Sequence, residues 1–230
     1  MELAIDTSSD IAGVALSDRG TPVAELVWLS VRNHTVELIP SVEALLNRVG
    51  SGYDSLGGIV VARGPGAFNG LRVGISAAKG LALALGVPLV GVSTLEVEAY
   101  PFAFTGLPIC PVHQAGRGEI VAALFQQAGG KWYQLWEEQL MTLDALLRMT
   151  TEMTVFCGEG VDMIEAELRR KFGRRAVVPD AVARTRRASV LAELGWRRLS
   201  AGESDNVTAF QPIYLRPPHI TQPRRKHDVS

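Results

Sequence analysis

Apolar and polar positions change rhythm several times along the chain. Leu3 to Asp6, Ile11 to Gly20 and Pro22 to Ser30 are aliphatic runs broken by tight polar turns, the clearest at Asp18, Arg19 and Gly20. That pattern predicts a meander of three strands. From His34 to Val49 the rhythm becomes helical. Leu38, Val42, Leu45, Leu46 and Val49 recur at spacings of three and four, with Pro40 marking a first turn or a kink. Gly57 to Arg63 then reads as a buried strand. After a glycine-rich turn, a second helix is expected over Leu71 to Leu85, another strand over "GVPLVGVS" and a third helix from near Thr94.

The second half repeats this order more weakly. Leu107 to Glu137 reads as three strands joined by turns, Thr154 to Phe172 as a strand passing through a glycine turn into a helix, and Val190 to Ala201 as a helix. The expected fold class is therefore α/β with two related lobes, each a mixed sheet (antiparallel meander plus parallel strands) flanked by helices. Residues 1–100 form the first lobe and 101–216 the second, more degenerate one. The polar, proline-rich residues 217–230 are expected to be a disordered tail.

Composition narrows the function little. The 230 residues carry a net charge of -1, with 47% hydrophobic and 20% charged residues, which suits an ordinary globular protein and excludes a strongly basic nucleic-acid binder. Ten of the 23 Lys and Arg residues nevertheless fall between Arg169 and Arg198. Phe172 and Trp196 are the two aromatic residues in that stretch, Asp180 lies within it, and Glu165 and Glu167 just precede it. The segment reads as a solvated face or, at most, a secondary surface for nucleic-acid phosphates. Cys110 and Cys157 have no metal-binding or disulfide spacing. No apolar run approaches a membrane span and the start lacks a leader pattern, so a cytoplasmic location is expected.

The stretch "ARGPGAFNGLRVGISAAKGLA" resembles a phosphate loop at first sight. A Walker loop needs Lys and Ser or Thr after its last glycine, but Gly70 is followed by Leu71 and Arg72. The dinucleotide fingerprint fits Gly64 and Gly66, then meets Asn69 where its third glycine belongs. Gly70, Gly74, Ala77, Ala78 and Leu81 instead suggest a strip of small side chains that lets another helix approach closely. If that strip faces a partner, Gly74→Ala stabilises the free chain, and a larger residue there leaves it folded but unable to bind.

"AIDTSS", "RNHTVELIPSVEALL", the glycine loop, "GVSTLEV" and "QPIYLR" together resemble the bacterial TsaB family, also called YeaZ. The likeness is strong over the first 100 residues and thin afterwards. It implies an actin-like, sugar-kinase-like fold and a non-catalytic role in forming threonylcarbamoyl-adenosine beside the anticodon of tRNAs reading codons that start with A. The implied partners are the catalytic paralogue TsaD and the ATPase TsaE, with a homodimer when the chain is alone and tRNA contacted only through the complex. The implied partner-binding residues are His34, Leu38, Val42, Leu45, Gly70, Leu71, Gly74 and Ala78. No cofactor is required, although weak ATP or ADP binding at the partner interface stays open.

Catalysis is poorly provided for. Where the catalytic paralogue carries two histidines four apart, this chain has Thr94 and Glu98, so no metal site is expected. Asp6, Thr7 and Ser8, with Gly64 and Gly66, are either a nucleotide-cleft remnant or a hydroxyl turn that satisfies backbone amides. Family members typically have an aspartate at Gln114 and an arginine at Gly116, and Gln114 cannot serve as a base. His34 reads as a hydrogen-bonding residue at a helix end. The competing class is an ATP-dependent phosphotransferase or metallopeptidase on the same fold.

Overall fold

The computed structural model describes residues 1–213 and 215; the expected tail, 217–230, lies outside them. The described strands form two five-stranded sheets. In the first, β1 (Glu2–Asp6), β2 (Ile11–Asp18) and β3 (Thr21–Leu29) form the antiparallel meander, and β4 (Gly58–Ala62) and β5 (Leu89–Val92) run parallel to β1. Helices α1 (His34–Arg48) and α2 (Phe68–Leu85) cover one face. There Leu3, Ile5, Val14 and Leu16 meet Leu38, Val42, Leu45, Ile75 and Ala78. Pro40 lies inside α1 and does not end it.

The second sheet repeats the strand order. Its meander is β6 (Ile109–Gly116), β7 (Glu119–Ala128) and β8 (Lys131–Thr142), followed by parallel β9 (Thr154–Cys157) and β10 (Ala176–Val177). Between the sheets runs α3 (Thr94–Ala99), buried at all six positions. Leu95 and Ala99 pack with Ile109, Val121 and Phe125, while Val97 packs with Val60 and Val92. Helices α4 (Leu143–Met149) and α5 (Val161–Phe172) cover the second sheet. Sequence patterning did not reveal α4, β10 or α6 (Ala181–Arg184), because seven, two and four residues display too little periodicity. Cys110 and Cys157 are buried free thiols; burial pushes Cys110 up to about 12.

The lobe boundary drawn from sequence needs correction. Helix α7 (Ala188–Ser200) returns to the first sheet, covering its second face through Leu191, Ala192 and Leu194 against Ala4, Ala15, Val60 and Val90. Small residues permit the contact: a Cβ on Gly195 would lie 2.3 Å from the Val60 side chain. The chain stays on this lobe afterwards, with the Asp205 amide donating to the Leu89 carbonyl at 2.8 Å and Phe210 in the first core. Apolar patterning locates a helix without saying which sheet it covers.

The small-residue strip also faces the other way from expectation. Gly70, Leu71, Gly74 and Ala78 are buried, and the two glycines face the protein's own β1 and the turn after it. A Cβ on Gly70 would lie 2.1 Å from the Thr7 carbonyl oxygen, and one on Gly74 would lie 2.3 Å from Thr7 Oγ1. The Thr7 hydroxyl cannot simply rotate away, because it donates to the Gly70 carbonyl at 2.7 Å. Gly74→Ala is therefore expected to destabilise the isolated chain by about 1–3 kcal/mol. Gly70→Ala, which drives a methyl into backbone, should cost more. Urea unfolding of both variants checks the sign and the order.

Candidate functional site

Strand β1 ends at Asp6, β4 leads into the glycine turn, and β6 and β9 end opposite them in the second lobe. Between the lobes lies a cavity of about 580 Å³ lined by Ser8, Ser9, Asp10, Gly66, His113, Gln114 and Glu159. Of the residues named from sequence as a nucleotide remnant, Asp6, Thr7, Ser8, Gly64 and Gly66, only Ser8 and Gly66 line it. Their polar groups are engaged with one another. Asp6 Oδ1 accepts from the Ser8 amide at 2.9 Å and the Ser8 hydroxyl at 2.6 Å. The Ala67 amide, at the start of α2, donates to the Ser8 carbonyl at 2.6 Å, and a Cβ on Gly66 would lie 2.3 Å from that oxygen. Gly64, at φ +109°, holds a backbone conformation that favours glycine. The glycine loop thus receives the chain's own turn at the place where a phosphate loop receives an anion.

The cleft's dominant charge was not recognised from sequence. Arg186, with its side chain 3% exposed, donates through Nε to Asp6 Oδ2 at 2.5 Å and through Nη2 to Ser9 Oγ at 2.8 Å. Its Nη1 donates to Glu98 Oε1 at 3.1 Å and Glu159 Oε1 at 2.9 Å. Burial alone would lower the Arg186 pKa, but the surrounding carboxylates raise it and hold the guanidinium charged. Glu98 also meets His113 Nε2 at 2.7 Å. Burial pulls the His113 pKa down, and the Glu98 carboxylate outweighs it, so the net shift is upward. At the other position compared with the histidine pair, Thr94 is buried with its hydroxyl unpartnered. Among the described residues, no three His, Cys, Asp or Glu side chains are arranged to hold a metal ion. Gln114 lines the cavity and is exposed.

Much of the basic segment is neutralised locally. Arg169 pairs with Glu165, Arg170 with Glu167, Arg184 with Asp162, Arg187 with Glu25, Arg197 with Glu193 and Arg198 with Glu96. Those partners hold the charges that an RNA-facing surface would need to present.

Of the partner-binding residues expected on α1 and α2, His34, Val42, Leu45, Gly70, Leu71, Gly74 and Ala78 are buried within the first lobe. His34 Nδ1 is buried without a hydrogen-bond partner. Leu38 alone of the set reaches a surface groove of about 370 Å³, which is lined also by Thr35, Ile39, Arg72, Val73, Ser76 and Ala77. Val36 and Ile39 are exposed beside it. Apart from Leu38, the residues chosen for partner binding belong to the inner faces of α1 and α2.

Two sheets of the same strand order enclosing an interlobe cleft define a two-lobed actin-like protein. A family model described as "TsaD: tRNA N6-adenosine threonylcarbamoyltransferase" matches residues 28–221. The tRNA threonylcarbamoyladenosine biosynthesis protein TsaB of Bacillus subtilis is 34% identical over 218 residues, covering 93% of each chain. Its Escherichia coli counterpart is 42% identical over 97 residues, 42% of each chain. The solved YeaZ of Pseudomonas aeruginosa superposes with a TM-score of 0.78 at 25% identity, covering 93% of this chain and 99% of that one. The chain belongs to the TsaB (YeaZ) family of tRNA threonylcarbamoyladenosine biosynthesis proteins.

The His113–Glu98 pair gives stability a defined pH dependence. Because folding raises the histidine pKa above its ordinary 6.5, the pair's contribution is complete below that value and is lost as pH rises through the folded pKa. His113→Gln should remove this component. The stability difference between wild type and variant is expected to shrink as pH rises above the ordinary histidine value of 6.5, measured by urea unfolding at each pH.

Proposed function

We propose that the chain is a non-catalytic scaffold and activator for threonylcarbamoyl-adenosine formation, binding TsaD directly and working with the ATPase TsaE. It needs no cofactor of its own, and tRNA is contacted through the complex. The observation that carries this reading is the apolar groove between α1 and α2, bordered by exposed Val36 and Ile39. Apolar surface of this kind, kept in water on an otherwise well-packed lobe, favours a protein partner. The engaged Asp6 and the filled glycine loop support the non-catalytic half of the reading. In the free chain the same groove pairs two copies, which TsaD displaces.

The test uses Ile39→Asp together with Val73→Asp, which place two carboxylates in the groove. Affinity for TsaD, read by calorimetry, is expected to fall at least about tenfold, as for loss of an interface anchor. Melting of the chain alone should change by only a few degrees, while threonylcarbamoyl-adenosine formation in the reconstituted system drops with affinity. Sedimentation should show the free dimer weakened by the same substitutions. Unchanged binding to TsaD would overturn the interface. Steady phosphate release from ATP by the chain alone, abolished by Asp6→Ala, would favour the enzyme class instead.

A further inference from the structure

Three carboxylates from three separate elements converge between the lobes: Asp6 at the end of β1, Glu98 on α3 and Glu159 in the turn before α5. Carboxylates drawn together out of water need a positive charge among them. Here that charge is covalently attached to the chain. We infer that Arg186 is a built-in cation that clasps the lobes and answers the charge of these carboxylates in place of any diffusible cation, closing the cleft to metal-bound anions such as nucleoside triphosphates.

The geometry supports each part of this assignment. The guanidinium bonds to first-lobe Asp6 and Ser9, to interlobe Glu98 and to second-lobe Glu159, so its fork spans the cleft. Of these partners only Glu159, at 42% exposure, has a substantially open side chain. A planar fork held from several directions discriminates against a spherical ion, which cannot reproduce its directed bonds. The neighbouring cavity is lined by Asp10 and Glu159, with His113 the lining residue that can carry positive charge. An entering triphosphate would meet carboxylates before any unpaired cation. The clasp concerns the isolated chain and stands independently of how TsaD is bound.

The test compares wild type, Arg186→Met, and Arg186→Met combined with Asp6→Asn and Glu98→Gln. The amides keep the acceptor oxygens for Ser8 and His113 while removing two charges. The single variant should melt on the order of 10 °C below wild type, as expected for uncompensated buried carboxylates in a chain of this size. The triple variant should recover at least half of that loss. Millimolar Mn²⁺ should raise the melting temperature of the single variant and leave wild type unmoved. A single variant as stable as wild type, a triple variant melting no higher than the single, or wild type stabilised by Mn²⁺ or by Mg²⁺ with ATP would each overturn the inference. If the single variant yields no folded protein, the triple variant decides: folding supports the clasp and failure to fold overturns it.

Discussion

A buried guanidinium must be answered from several directions at once, and that requirement ties the two lobes together. Arg186 lies just before the last helix, and its partners come from the first strand, the central helix and the second lobe's glycine turn. Each partner has its own constraint. Asp6 must end β1 where its second oxygen stays free after binding Ser8, and Glu98 must sit on a helix with no exposed residue. Gly158 must let that helix pass, since a Cβ there would lie 2.8 Å from Glu98 Oε2. The cost of withholding charge from water is thereby met by directed bonds rather than by solvent.

Both sheets run meander first and then two parallel strands, yet the copies have diverged in what they can support. The first lobe has long α1 and α2, with one outer groove between them. In the second lobe the corresponding places hold the seven-residue α4 and the twelve-residue α5, which leave less helix surface to offer a partner. The first lobe is also the more thickly covered, because α7 returns to its second face. This asymmetry accords with a family likeness in sequence that is strongest over the first 100 residues.

The strands and long helices were legible in the sequence because their apolar spacing is local. Orientation was less so. In α2 the polar residues Asn69, Arg72, Ser76 and Lys79 recur at three and four and mark the outer side, but the strip of small residues at 70, 74 and 78 reads as the partner-facing one. Glycines at 70 and 74 announced a close approach without saying that the approaching backbone was Thr7. The site divided similarly. Asp6, Thr7 and Ser8 stand together in the chain and could be read as one turn, whereas Arg186 bonds to Asp6 across a separation of 180 residues and was hidden among surface-like arginines. Glu98 was noted for the histidine it is not, and its role as a counter-ion became visible only with its partners.

The return of α7 has a consequence for synthesis. A ribosome delivers β1 through β5 long before residues 188–200, so Ala4, Ala15, Val60 and Val90 wait without their cover while the whole second lobe emerges. The first lobe cannot complete its packing as an independent unit during translation, despite having all five of its strands. An uncovered sheet face on a nascent chain is prone to association with its neighbours. That apolar face stays uncovered for most of the time the chain takes to make.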